Sequence, residues 1–198
     1  IMLVAITGCQ NSPHMNQSIS DSQIILGTVI SIQLFGREDQ ALLKESFDIL
    51  KAIEEKMSLN VTTSEVVAIN NAAGQEPVAV SDDTFYVIQK SIEYSQLSDG
   101  LFDISMEPVI DLWGIGTEEA RIPTDEELED ALEHVDYRKI QLDESNQTVY
   151  LEAGMAIDLG GIAKGYAADQ VSNYLKSEGV TKAIINLGGN VMLIGEKA

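Results

Sequence analysis

The chain has 198 residues and a formal net charge of −20 at pH 7, from 32 acidic and 12 basic side chains. Its hydrophobic share of 44% is typical of a globular protein with a buried core, and its length fits one domain or two small ones. The acidity argues against a nucleic-acid partner, because no basic stripe is present to meet a phosphate backbone. A phosphorylated ligand would need a metal ion, a lysine or helix N-termini to balance the local charge.

The first residues, IMLVAITGCQNS, form an apolar run that ends at Cys9 and then turns polar. The run is too short to span a bilayer, and ITGC (6–9) resembles a bacterial lipobox, which ends in the cysteine that receives lipid. We therefore expect residues 1–9 to be the remnant of a lipoprotein signal peptide, and the polar residues 10–23 to be a flexible tether. The expected location is the bacterial cell membrane, lipid-anchored and facing outside the cytoplasm. The alternative for Cys9, the single cysteine, is a buried thiol in an N-terminal strand.

The first half of the chain is expected to alternate strands and helices. Residues 24–36, IILGTVISIQLFG, are rich in β-branched side chains and predict a strand. Apolar residues at helical spacing predict a helix over 39–58, and a shorter helix is expected over 64–70. A brief strand over 77–80 precedes a helix that Ser81 caps and that ends at Gly100.

The second half begins with a loop, 98–116, around Asp103, whose simplest role is to cap a helix that starts near Ser105. Thr124 and Glu127 predict a capping box that opens a helix over 125–135. The rest is expected to contain five strands and one long helix: strands 139–143, 148–152, 155–158, 182–187 and 190–195, and a helix over about 162–178. This irregular order predicts an α+β fold, with mixed sheets flanked by helices. The last strands lack sheet partners, so we expect the sequence to be incomplete at both ends.

The stretch AIDLGGIAKGYAAD (156–169) combines features of an anion site. Asp158 ends a predicted strand, Gly160 and Gly161 follow it, and Lys164 lies on the first turn of the next helix. Glycines let a backbone approach a ligand closely, and the N–H groups of a first helical turn favour an anion. The alternative is a tight structural turn with a surface lysine, since the spacing matches neither a dinucleotide fingerprint nor a P-loop.

A second glycine pair lies in NLGGN (186–190). It could bring backbone to the same ligand, but a β-turn is the better interpretation. The two histidines, His14 in the expected tether and His134 on a polar helix, are expected to lie at the surface.

Three segments together resemble one family: SDGLFDISMEPVIDLWGIG (98–116), IDLGGIAKGYAAD (157–169) and INLGGNV (185–191). Their order and spacing are similar to those of the ApbE family, the FAD:protein FMN transferases once called thiamine-biosynthesis lipoproteins. LGTVISI (26–32) and MSLNVTTSEVVAIN (57–70) are similar to upstream segments of that family. The resemblance runs from about residue 24 to residue 198, which would be the N-terminal portion of an ApbE-like domain.

The resemblance implies a Mg²⁺-dependent enzyme that moves FMN from FAD onto a threonine of a target flavoprotein, such as a membrane redox-complex subunit, and releases AMP. It also implies that Gly161 offers its carbonyl to the metal. The residues implied to contact FAD are Leu26, Asn60, Phe102, Asp103, Ile104, Asp158 and Lys164. The family often has Met where Leu26 stands and Tyr where Asn60 stands, so a stacking contact on the flavin is altered.

Other family features have no counterpart in these 198 residues. The aspartate and threonine that complete the Mg²⁺ site, and a histidine that assists the attacking threonine, belong to the second half of the family fold, so no catalytic residue is named. Two alternatives remain open: an FAD pyrophosphatase, in which water replaces threonine, and a non-catalytic, lipid-anchored flavin-binding protein.

Overall fold

The computed structural model describes residues 17–115 and 117–195, so Cys9, His14 and the first part of the expected tether lie outside the described residues. The helices are α1 (Gln40–Met57), α2 (Glu65–Asn71), α3 (Asp82–Leu97), α4 (Glu107–Trp113), α5 (Asp125–Leu132) and α6 (Ala163–Ser177). The strands are β1 (Ser18–Ile25), β2 (Thr28–Phe35), β3 (Val78–Ala79), β4 (Gln141–Asp143), β5 (Thr148–Tyr150), β6 (Ala183–Leu187) and β7 (Asn190–Ile194). The α+β class, with sheets flanked by helices, is confirmed.

Two antiparallel sheets organise the fold, one with the strand order β1-β2-β6-β7 and one with the order β3-β5-β4. Helices α1 and α6 pack against each other and against the larger sheet. Alternate residues of β2 point into this layer, as the period of a strand requires, and meet apolar side chains from both helices. The fully buried members include Ile30, Ile32, Leu34, Phe47, Leu50, Val171 and Leu175. This packing fixes the start of α6 beside the turn between β6 and β7.

The prediction for the first strand was wrong. Residues 24–36 do not form one strand, because the chain reverses at Leu26 and Gly27, whose φ angles are 53° and 68°. Positive φ at both central residues is the geometry of a tight two-residue hairpin. Residues 18–23, expected in the tether, belong to β1 and pair with β2 along its whole length. β1 is an edge strand with mostly exposed side chains, which explains its polar, tether-like composition.

The prediction of a strand over 155–158 was also wrong. The Asn70 side chain takes the place of a partner strand: its Nδ2 donates to the Ile157 carbonyl at 3.0 Å, and its Oδ1 accepts from the Ile157 N–H at 2.9 Å. The helix expected over 125–135 ends at Leu132, so His134 lies beyond it, half-buried against Gly154. None of the helices in the described ranges combines the length and the apolar character needed to cross a bilayer.

Candidate functional site

The turn that leads into α6 is closed by its own hydrogen bonds. The Asp158 carboxylate accepts from the Gly160 N–H through Oδ1 at 2.7 Å. The N–H groups of Ile162 and Ala163 both donate to the carbonyl of Leu159, at 3.0 and 2.8 Å, and the Leu159 side chain is fully buried. The core therefore holds Leu159, while the exposed glycines beside it face outward.

The backbone of this turn does not need glycine. Neither Gly160 nor Gly161 belongs to the described glycines with positive φ. A Cβ on Gly160 would lie 3.2 Å from Asp158 Oδ1, and one on Gly161 would lie 3.2 Å from Phe102 Cε2, so each is a tight contact that a small shift relieves. Close approach of a ligand stays the prediction for the pair.

The positively charged side chain of Lys164 lies at the same turn. Its Nζ donates to the Gly160 carbonyl at 3.2 Å, so the ammonium group lies over the glycine turn. The Gly161 carbonyl accepts no hydrogen bond from the described residues. Because the N–H groups of Gly160, Ile162 and Ala163 are used inside the turn, an anion here would depend on the Lys164 ammonium group and on the Gly161 N–H, which donates to none of the described residues.

Four of the residues implied to contact FAD line one cavity. Leu26, Asn60, Asp158 and Lys164 surround a space of about 320 Å³, together with Gly160, Ala163, Ile115 and residues 57–59. The Leu26 N–H donates to Glu54 Oε1 at 2.6 Å, which fixes the β1–β2 turn over the end of α1. The size is in the range of small-molecule sites. The fold thus joins positions that are far apart in the chain.

Residues 102–104 have a different placement. Phe102 lies with Gly161 in a neighbouring cavity of about 430 Å³, with Tyr94, Leu97, Ser98 and Ile162. Ile104 is buried and its carbonyl accepts from the Asp158 N–H at 2.9 Å. This segment therefore positions Asp158 and Gly161.

Asp103 uses both carboxylate oxygens within the fold. Oδ1 accepts from the Ser105 N–H at 2.8 Å and from its hydroxyl at 2.7 Å, which confirms the predicted cap. Oδ2 accepts from the Tyr137 N–H at 3.1 Å. The implied contact of Asp103 with FAD stays a prediction.

Carboxylates border the site on one side. Burial, together with the nearby Asp111 and Asp158 carboxylates, raises the pKa of Glu107 above its ordinary value. The field there is therefore negative, and a phosphate would lie toward Lys164 instead. The described residues contain no group of three or more His, Cys, Asp or Glu side chains that could hold a metal ion.

A third cavity was not expected from the sequence. It has a volume of about 680 Å³ and shares Gly160, Gly161 and Lys164 with the cavities above. Its other wall carries Tyr86, Lys90 and Tyr94 from α3. The signal available in the sequence was the recurrence of these three long side chains at four-residue spacing.

Comparisons with known proteins match most of the chain. The model of the ApbE family matches residues 26–198. The chain is 38% identical to an FAD:protein FMN transferase of Klebsiella pneumoniae (strain 342), across 91% of this chain and 57% of that protein. It is 31% identical to an FAD:protein FMN transferase of Treponema pallidum (strain Nichols), across 99% of this chain and 57% of that protein.

Solved structures show the same similarity. The ApbE protein of Thermotoga maritima superposes with a TM-score of 0.84 at 32% identity, over 91% of this chain and 60% of that one. The flavin transferase ApbE of Vibrio cholerae superposes with a TM-score of 0.84 at 28% identity, with the same coverage. The chain thus spans less than two thirds of the length of these relatives.

Proposed function

The chain belongs to the ApbE family, and from that premise we propose that the protein is a Mg²⁺-dependent FAD:protein FMN transferase. It would move FMN from FAD onto a threonine hydroxyl of a target flavoprotein and release AMP. The observation that carries the proposal is the turn before α6, where Asp158, Gly160 and Lys164 border a cavity that also contains Leu26 and Asn60. Two curated relatives with moderate identity bear the name of this activity.

The reaction is a phosphoryl-type transfer with a simple balance. A bond forms between the threonine oxygen and the FMN-side phosphorus, the bond from that phosphorus to the bridging oxygen breaks, AMP leaves with that oxygen, and the hydroxyl proton passes to solvent. Catalysis then requires positioning and charge stabilisation. The glycine pair admits the pyrophosphate to the backbone, and the Lys164 ammonium balances its charge. Asp158 holds the turn in place through the Gly160 N–H.

The turn before α6 offers one of the ligands that a magnesium ion would need. Mg²⁺ prefers oxygen ligands and is commonly held by one or two protein groups plus substrate phosphates. The Gly161 carbonyl, which accepts no hydrogen bond from the described residues, is an available ligand of this kind. The ion would supply neutralisation of the charge that develops on the phosphate oxygens.

In this proposal, the flavin half of FAD binds in the cavity of about 320 Å³ that contains Leu26 and Asn60. Leu26 provides an apolar wall and Asn60 an amide, where the family often has Met and Tyr. Phe102, Asp103 and Ile104 would complete the contacts from the segment that holds Asp158.

The test is a transfer assay on the full-length protein that contains this chain, with FAD, MgCl₂ and an acceptor flavoprotein purified without its covalent flavin. We expect a fluorescent flavin that stays on the acceptor in a denaturing gel, AMP in equal amount, and loss of both with EDTA. An acceptor with its target threonine changed to alanine is the control. Free FMN and AMP produced equally without acceptor would identify a pyrophosphatase instead.

The location is a separate part of the proposal. The lipobox-like segment ending at Cys9 supports a lipid anchor that holds the enzyme on the outer side of the bacterial cell membrane, near membrane redox-complex subunits as acceptors. We expect Cys9→Ser to remove metabolic labelling by a fatty acid. Labelling that persists in this variant would contradict the anchor and leave the transferase proposal intact.

A further inference from the structure

Leu26 has a backbone conformation that a leucine side chain disfavours. Its φ angle is 53°, in the left-handed region, and Gly27 follows it with a φ angle of 68°. The first central position of such a two-residue turn favours Asn, Asp or Gly, and a bulky aliphatic residue there is an outlier. Residues held in such conformations cluster at binding sites and active sites. The leucine therefore calls for a role of its side chain.

The surroundings of Leu26 indicate what that role is. The side chain is half-buried at the edge of the core and lines the cavity of about 320 Å³ that also contains Asn60 and Lys164. An asparagine would relax the turn, but it would replace an apolar part of the cavity wall by a polar one. The strained leucine thus gives the cavity an apolar surface that a relaxed turn would lack.

The Glu54 carboxylate holds this turn from α1. Its Oε1 accepts from the Leu26 N–H at 2.6 Å, although the two residues are 28 positions apart in the chain. A hydrogen bond to a carboxylate is stronger than one between neutral groups, and Glu54 is half-buried, which limits competition from water. Glu54 is not one of the described residues that line the cavity. An effect of Glu54 on a ligand in the cavity would therefore pass through Leu26.

The backbone of Glu54 also connects to the other segment on this side of the cavity. The Glu54 carbonyl accepts from the Ser58 N–H at 3.0 Å, and Ser58 Oγ accepts from the Asn60 N–H at 3.2 Å. The last turn of α1 thus holds Leu26 through a side chain and Asn60 through a capping segment.

We propose that Glu54 is a positioning residue for FAD, which keeps Leu26 in the left-handed conformation that forms the apolar wall for the flavin half. The inference rests on the proposed transferase function, which assigns this cavity to the flavin half. A turn that is already held before FAD arrives need not be ordered on binding, and this raises the affinity. Without the acceptor oxygen, the turn relaxes toward negative φ at Leu26, and the side chain leaves the wall.

Three variants of Glu54, in the full-length protein that contains this chain, separate its hydrogen bond from its charge. Glu54→Ala removes the acceptor and the charge. Glu54→Gln keeps an acceptor oxygen at the same distance from the backbone and removes the charge. Glu54→Asp keeps the charge and draws the acceptor back by one methylene group. The Kd for FAD is measured by flavin fluorescence on each variant, and Tm and kcat for transfer are measured on the same preparations.

A second background tests whether Glu54 acts through Leu26. Leu26→Gly removes the leucine side chain and the strain together and keeps the N–H that Glu54 binds. Glu54→Ala is then introduced into Leu26→Gly, which completes a double-mutant cycle. Because a Gly-Gly turn adopts positive φ without strain, this background folds without the carboxylate and remains measurable if Glu54→Ala alone does not fold.

We expect Glu54→Ala and Glu54→Asp to raise the Kd for FAD by about tenfold, equivalent to about 1.4 kcal/mol. Glu54→Gln should stay within about threefold of the wild type, and kcat at saturating FAD should be unchanged in all three, because Glu54 does not reach the reacting atoms. In the Leu26→Gly background, Glu54→Ala should leave the Kd for FAD unchanged.

Three results would overturn the inference. One is a wild-type Kd for FAD in Glu54→Ala, and another is a Kd that follows the charge, with Glu54→Asp like the wild type and Glu54→Gln like Glu54→Ala. The third is an equal loss from Glu54→Ala with and without the leucine side chain. A wild type that binds FAD but transfers no FMN would refute the proposed function, whereas the titrations, which need no acceptor, decide the inference by themselves.

Discussion

The two glycine pairs of this protein differ in their backbone conformation and in the space around them. Gly188 and Gly189 join β6 to β7 with φ angles of 61° and 100°, and a Cβ on Gly188 would lie 2.3 Å from Thr28 Oγ1. Gly160 and Gly161 lack positive φ, and a Cβ on either would make one tight contact at 3.2 Å. The backbone of the hairpin therefore favours glycine at both positions. The backbone of the turn before α6 does not, and access to a ligand stays the predicted reason for its glycines.

This difference also settles an alternative that the sequence left open. The pair in NLGGN is a β-turn, closed by the Gly189 N–H, which donates to Asn186 Oδ1 at 2.9 Å. The next residue, Asn190, lines the cavity of about 680 Å³ beside α6. The turn therefore contributes the Asn190 side chain to this cavity. Variants in the two pairs should accordingly divide into those that lose stability and those that lose binding.

Gly188→Val should show the largest effect. The strained φ and the overlap with Thr28 together should cost about 4 kcal/mol, a fall in Tm of roughly 8–16 °C for a chain of this size. Gly189→Val is the matched control, because its Cβ would meet nothing within 4 Å and only the strain remains. Thermal denaturation of both measures the overlap, and equal Tm values would show that Thr28 moves aside.

Lys164→Ala should separate binding from folding. Loss of a charge-assisted hydrogen bond to a phosphate costs about 1–3 kcal/mol, so FAD affinity, followed by flavin fluorescence, should fall by roughly 5- to 150-fold. Tm should stay close to that of the wild type, because the only hydrogen bond of Lys164 Nζ among the described residues is to the Gly160 carbonyl. An unchanged FAD titration would make Lys164 a surface lysine.

Gly161→Ala is the sharpest comparison with Gly188. The added methyl requires Phe102 to move by a few tenths of an ångström, so the free energy of unfolding should change by less than about 1 kcal/mol. The methyl would fill the approach to the turn, and Mg²⁺-dependent FAD binding should weaken by about tenfold. Titrations with and without MgCl₂ measure this. A variant that loses stability and keeps FAD affinity would place both glycine pairs in the same structural class.

Asp83→Asn should give the smallest effect, and one that depends on pH. Burial opposes ionisation of Asp83, but hydrogen bonds from Lys56 and Tyr166 outweigh it and lower its pKa below the ordinary value. A depressed pKa means that the ionised carboxylate stabilises the folded state above the unfolded pKa of about 4 and that this contribution is lost as the pH falls below it. The variant should lose less than about 1 kcal/mol at pH 7, since water screens a partly exposed pair.

Denaturation of wild type and Asp83→Asn as a function of pH tests this. The difference should shrink as the pH falls below about 4. Tyr166→Phe removes one of the two hydrogen bonds that lower the pKa of Asp83, so it should show a smaller loss with the same dependence on pH. A difference that stays constant down to acidic pH would show that packing, not ionisation, explains the loss.

Many elements could be predicted from local patterns. The capping box at Thr124 and Glu127, the long helix α1 and the helix after the glycine pair are all confirmed. The failures have different causes, because β1 is a polar edge strand joined to β2 by a two-residue turn, whereas residues 155–158 are held by a distant partner. β1 depends on its pairing with β2, and Ile157 on Asn70, 87 positions away in the chain. Neither the pairing of β1 nor the contact of Ile157 can be predicted from composition or periodicity.

The candidate site divides in the same way. The sequence alone predicted that Asp158, Gly161 and Lys164 lie together at the start of α6, because their spacing is local, and their contacts with a ligand stay a prediction. Only the tertiary structure placed Leu26 and Asn60 in the same cavity as Lys164, and only it showed that the second carboxylate oxygen of Asp103 accepts from the Tyr137 N–H, 34 positions away. It also showed that Tyr86, Lys90 and Tyr94 of α3 line a cavity of about 680 Å³ next to the start of α6. The physical reason is range: caps, turns and helical faces depend on neighbours within a few residues, whereas a cavity exists only after packing brings distant segments together.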